Sequence, residues 1–157
     1  MRSILLSGES SPHSSFWHFC ARLHKERISI VLWAGGALLK ENADLVGHYC
    51  SRVLVSLEGN PPIHDLIHGA AGAAVELANG VTALKDVEPN IPVSPHSAVQ
   101  QLNCGKLVEM TAYADSPGGV EQFERPSSVA AATVNTTGSS TNQTTFVSDR
   151  SHRGSPC

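Results

Sequence analysis

The chain lacks any long apolar run. None approaches the ~20 residues a membrane-spanning helix requires. The apolar patch near the start, Ile4 to Leu6, is shorter than the roughly 7–15 residues of a signal-peptide core. A cytoplasmic location with no membrane partner is therefore expected. Charge of one sign is also scarce, with a net charge of −3 over 157 residues. Such a balance leaves no electrostatic footprint for nucleic acid. The four cysteines, Cys20, Cys50, Cys104 and Cys157, are scattered without a Cys-x-x-Cys pair, so no zinc or cluster motif is visible. No glycine-rich phosphate loop follows any apolar run, which weakens the reading as a generic nucleotide-binding α/β domain.

What is present is an alternation. Short apolar runs start near residues 3, 28, 52 and 91, and helical patterns lie between them. Phe16, Phe19, Cys20 and Leu23 are spaced for one helix face. A second helix is expected over about 40–50 with Leu39, Ala43, Val46 and Cys50 on one side. A third is expected over about 71–85, with Ala71, Ala74, Val75, Ala78, Thr82 and Leu84. A fourth would follow Asn103-Cys104-Gly105, which can cap it, and bury Leu107, Met110 and Ala114. The fourth strand starts at Ile91 to Val93 and runs toward Val99. Trp33-Ala34-Gly35-Gly36 reads as a turn needing positive φ at a glycine. Strands alternating with helices imply right-handed βα units and a parallel sheet. The expected fold is α/β, a partial (βα) barrel of about four parallel units over residues 1–115, with two unpaired sheet edges that favour self-association. From Ser116 the composition changes: of 42 residues, 18 are Ser, Thr, Asn or Gln. So little apolar surface cannot offset ordering entropy, so 116–157 is expected to be a disordered tail.

The run Arg52 to Gly69 holds the most chemistry. An apolar strand, Val53 to Val55, ends in Ser56-Leu57-Glu58-Gly59; Pro61-Pro62 stiffen the exit, and His64-Asp65 and His68-Gly69 follow. In parallel α/β folds ligands bind past the C-terminal ends of strands. His64-Asp65 reads as a structural pair capping the next helix, with a base and its orienter as the alternative. His64 and His68, at i and i+4, have a spacing that can ligate zinc, though no third ligand is placed by sequence beyond His96 at the next strand end.

These residues carry a resemblance. Ser56-Leu57-Glu58-Gly59, His64-Asp65 and His68-Gly69 resemble the Ser-Leu-Asp-Gly, His-Asp and Arg-Gly elements of radical S-adenosylmethionine enzymes, in the branch of the molybdenum-cofactor and peptide-maturation enzymes. Glu58 stands for the family Asp and His68 for the Arg. Ser7-Gly8-Glu9-Ser10 is similar to the family's Gly-Gly-Glu-Pro motif, and His13 matches a frequent histidine four residues on. Trp33-Ala34-Gly35-Gly36 stands where the family often has Thr-Asn-Gly. The likeness covers roughly the first 115 residues.

The resemblance implies S-adenosylmethionine as cofactor, held by Gly8, Glu9, Ser56 and Glu58. It also implies a [4Fe–4S] cluster, reductive cleavage to a 5′-deoxyadenosyl radical, and hydrogen abstraction from a small-molecule or peptide substrate of unspecified identity. The cluster in that family is held by a Cys-x-x-x-Cys-x-x-Cys loop, which this sequence does not contain, and thiolates must hold such a cluster. The expectation is therefore a truncated, inactive copy without metal ligands or catalytic residues of its own, the alternative being a part-barrel remnant or subunit piece.

Overall fold

The computed structural model describes residues 2–8, 13, 15–114 and 133–134. In chain order they form β1 (Ser3–Gly8), α1 (Ser15–Lys25), β2 (Ser29–Ala34), α2 (Gly36–Glu41), α3 (Ala43–Tyr49), β3 (Arg52–Ser56), α4 (Pro61–His68), α5 (Ala73–Val87), β4 (Val93–His96), β5 (Ala98–Val99), a short 3₁₀ turn (Cys104–Lys106), α6 (Leu107–Ala114) and β6 (Thr133–Val134).

β1 to β4 form one four-stranded sheet in sequential order, and every pairing is parallel. All four expected strand positions are occupied. Residues alternate across a strand, and burial follows: Ile30, Leu32 and Ala34 of β2 and Val53 and Val55 of β3 are buried, while their neighbours are half-exposed. The buried face packs against Cys20 and Leu23 of α1, Leu38 and Leu39 of α2, Val46 of α3, and Leu77, Val81 and Leu84 of α5. On the other face Leu5 of β1 is 54% exposed. The fold is thus α/β with a parallel sheet and helices.

Several boundaries differ from the sequence reading, each for a local reason. The helix expected over 40–50 is two helices hinged at Asn42, whose backbone lies at φ −129°, ψ 27°. The Asn42 amide donates to the Leu38 carbonyl at 3.1 Å, the side-chain competition that makes Asn a helix breaker. α2 begins earlier, at Gly36, and neither Gly35 nor Gly36 takes positive φ. Gly36 is needed instead for close approach: a Cβ there would sit 2.6 Å from Leu77 Cα, and one on Gly80 would collide with the Gly36 backbone. α2 and α5 therefore cross with their backbones in contact.

α4 was not expected as a helix. Pro61 and Pro62 occupy its first turn, where the missing N–H costs nothing, the Asn60 side chain accepts from Ile63 N, and Gly69 ends it at φ 66°. α5 buries Ala74, Leu77, Gly80, Val81 and Leu84, whereas Val75, expected inside, is 61% exposed. Phe19 of α1 likewise lies at the rim of its stripe and is exposed. The fourth strand is interrupted at Ser97. Asn103 does not cap a helix through its side chain. The expected disordered tail lies outside the described residues except at Thr133–Val134, which pair in parallel with Ala98–Val99. No helix among the described residues is long and apolar enough to cross a membrane.

Candidate binding site at the strand ends

Because the strands are parallel, their C-terminal ends share one rim. Gly8 pairs with Ala34, and Ser56 pairs with His96. Glu9 lies outside the described residues, so of the four expected cofactor contacts the structure places Gly8, Ser56 and Glu58.

Ser56 faces a cavity of about 210 Å³ lined by Trp33, Gly35, His64, His68, Glu76 and Leu77, among others. The β2–α2 turn forms one wall and α4 with the start of α5 the other. Whole small-molecule sites usually occupy ~300–1,000 Å³, so this cavity suits one end of a ligand. The Trp33 indole N–H donates to Ser56 Oγ at 3.0 Å, which leaves the serine O–H as a donor.

His64 is buried, and its Nδ1 accepts the Glu58 backbone N–H at 3.2 Å. That bond puts the proton on Nε2 of the neutral ring. Burial, then the neighbouring His68, pushes the His64 pKa down to about 4, against a smaller upward pull from Asp65. The His64 and His68 rings lie 4.2 Å apart. Asp65 faces the other way. Its carboxylate accepts from Ala74 N at 2.9 Å and Gly72 N at 2.7 Å, and those two bonds hold its pKa below the ordinary value. Asp65 is thus the cap of α5, as expected, and His64 is not part of that cap.

Glu58 does not line this cavity. It is buried, and its Oε2 accepts from Ser97 Oγ at 3.1 Å and Ala98 N at 3.0 Å. Asn103, 1% exposed, donates through Nδ2 to the Glu58 and Ala98 carbonyls, both at 3.0 Å, and accepts Gln100 N at 2.8 Å. Together they fasten the β3–α4 loop to the segment after β4. The sequence signal for Asn103 was only its turn-like context, which reads equally as a helix cap. Next to this brace, His96 packs against Trp33 with ring centroids 4.5 Å apart. Burial lowers its pKa against a smaller upward effect of Glu58, and its Nδ1 is buried without a hydrogen-bond partner.

The three described cysteines form no cluster-binding group. Cys20 and Cys50 are buried in the core and Cys104 is half-buried. Burial raises the Cys20 thiol and pushes Cys50 up to about 12, the reverse of what a thiolate ligand needs. Among the described residues no group of three or more His, Cys, Asp or Glu is placed to hold a metal ion. The described residues therefore do not fit a [4Fe–4S] cluster or a three-ligand zinc centre. Fold and cavity define an α/β protein with a small recess at the strand ends. No protein-family model matches the chain, and no curated protein matches it in sequence.

Proposed function

We propose that the chain is a radical S-adenosylmethionine-type part-barrel whose strand-end rim binds S-adenosylmethionine. The supporting observation is the position of Ser56: the last residue of β3, at a cavity wall, with its hydroxyl proton left for a ligand. Gly8 ends β1, two strands away. Strands stand ~4.8 Å apart, so the two ends are separated by on the order of 10 Å, a span the cofactor bridges. Trp33, Ala34 and Leu77 supply apolar wall, and Glu76 supplies a carboxylate for a cationic group.

Bound S-adenosylmethionine supplies an electrophilic sulfonium that reductive cleavage converts to a carbon radical. No such step is assigned here, because the described residues offer no cluster ligands. The role proposed is binding. One charge-assisted hydrogen bond contributes roughly 1.5–3 kcal/mol. Two or three of them, set against ligand ordering, leave affinity near the millimolar level, about −4 kcal/mol.

NMR titration with S-adenosylmethionine tests this reading. The expected result is weak, saturable binding that shifts the Trp33 indole N–H signal, weakened by Ser56→Ala and by Glu9→Ala. Micromolar binding indifferent to both substitutions would show that the site lies elsewhere.

A further inference from the structure

The two edges of the four-stranded sheet are chemically unlike. Ser29 N donates to Arg2 O, so the Arg2 backbone faces β2. Backbone groups alternate sides along a paired strand. Ile4 and Leu6 therefore also face β2, and Ser3, Leu5 and Ser7 turn their N–H and C=O groups outward. Among the described residues no strand pairs with that side of β1. At the far edge Val53 N donates to Pro92 O and Leu57 N to His96 O, so Val93 and Pro95 of β4 face outward. Pro95 has no N–H to offer, which blunts that edge. Ser3–Gly8 contains neither proline nor charge. Its apolar residues are also incompletely covered. Leu5 is 54% exposed, and Ile4 and Leu6 are half-buried, whereas Ile30 and Leu32 beside them are fully buried.

We propose that β1 pairs antiparallel with β1 of a second copy of this chain, about a two-fold axis at Leu5, joining the two sheets into one. The outward groups fix this register. Hydrogen bonds form only where an outward residue opposes an outward residue. Centring on Leu5 sets it against its own counterpart and Ser3 against the counterpart of Ser7, so every outward N–H and C=O from Ser3 to Ser7 finds a partner. A slip of two residues leaves Ser3 or Ser7 unpaired within β1 and sets Leu5 against a serine. Opposed side chains share a face, so the two Leu5 side chains cover each other and Ile4 meets the counterpart of Leu6. Ser3-Ile4-Leu5-Leu6-Ser7 reads alike from both ends in chemical kind, the self-complementarity that a two-fold interface requires. A ribbon this short falls below the ~1,200 Å² of a standard stable interface, so the dimer forms reversibly with concentration.

The test is analytical sedimentation of the full chain over a concentration series, with amide exchange measured by NMR at its two ends. The expected result is a mass that rises from monomer to dimer and stops there. Exchange at the Ser3, Leu5 and Ser7 amides should slow as the dimer forms, while Ile4 and Leu6 stay protected throughout. Leu5→Lys, at an exposed position, sets like charges against each other and should lower the dimer fraction at every concentration. Mixing it with Leu5→Glu should restore a mixed dimer, since opposite charges then face each other. Val108→Lys, on the 82% exposed apolar residue of α6, should leave the mass curve unchanged. A monomer throughout would overturn the proposal. So would open-ended oligomers, a dimer indifferent to Leu5→Lys, no rescue in the mixture, or dependence on Val108. The exchange measurement needs no variant, and a dimer without new protection at Leu5 would overturn the proposal by itself.

Discussion

Acidification should weaken the fold through His64. Its folded pKa is about 4, against about 6.5 in an unfolded chain. The unfolded state therefore binds the extra proton throughout that interval. Stability is fully present above pH 6.5 and is lost as pH falls toward 4. A difference of about 2.5 units corresponds to about 3 kcal/mol, at 1.36 kcal/mol per unit. The physical events are desolvation of an imidazolium beside His68 and loss of the acceptor for the Glu58 N–H. Urea denaturation followed by circular dichroism at steps between pH 7.5 and 4 measures the effect. His64→Asn is the control, because its Oδ1 can accept the same N–H without titrating. His96, also depressed by burial, contributes with the same sign in both proteins. The wild-type curve should fall more than the variant's by about 3 kcal/mol over the window. Superimposable curves would mean that His64 is not a buried neutral acceptor, and the reasoning would fail.

Other substitutions probe the packing. Gly80→Ala gains up to ~1 kcal/mol of helix propensity but drives a Cβ into the Gly36 backbone. Overpacking costs roughly 1–3 kcal/mol, so thermal denaturation should show a net loss. Gly47→Ala is milder, since its Cβ would meet Glu88 Cβ at 3.1 Å and Val87 Cγ1 at 3.7 Å and no backbone atom; a shift of a few tenths of an ångström relieves that contact, so the same melts should show a smaller loss than for Gly80→Ala. Asn103→Ala strips donors from two buried carbonyls and should cost on the order of 1–3 kcal/mol, read by denaturant midpoint. Asp65→Ala should speed amide exchange at Gly72 and Ala74, its two backbone partners, before any other site.

The strands were legible because β-branched apolar runs bounded by turn formers have few other uses. Ile30 and Leu32, and Val53 and Val55, sit where that pattern puts them. The helices were legible in number only where no residue had two readings. Pro61-Pro62 reads as a stiff exit or as a first helical turn, and only the Asn60 cap decides. Asn42 breaks a helix because its amide finds Leu38 O, a contact that periodicity cannot register. Gly36 and Gly80 look like weak points in a helix until the helix crossing is known. At the site, Ser56 was legible as the last residue of a strand. Glu58 was not, because the loop past a strand end, not the strand's alternation, sets where its carboxylate turns.

That distinction bears on what a motif can mean here. Strand-end positions are fixed by the sheet, so Ser56 faces the rim whatever follows it. The other two sides of the cavity are set by the α2–α5 crossing, which puts Gly36 against Glu76 and Leu77. The width of the recess is therefore set by the close approach that Gly36 and Gly80 permit. Glu58 belongs to neither wall, and with Asn103 it holds the β3–α4 loop that presents His64. The carboxylate, held by Ser97 and Ala98, shapes the site by fixing the loop whose Glu58 N–H holds the His64 ring in place, whether or not it meets a ligand; burial keeps that ring neutral. The loss of Glu58 should thus be felt first in the pH dependence of stability and only then in binding.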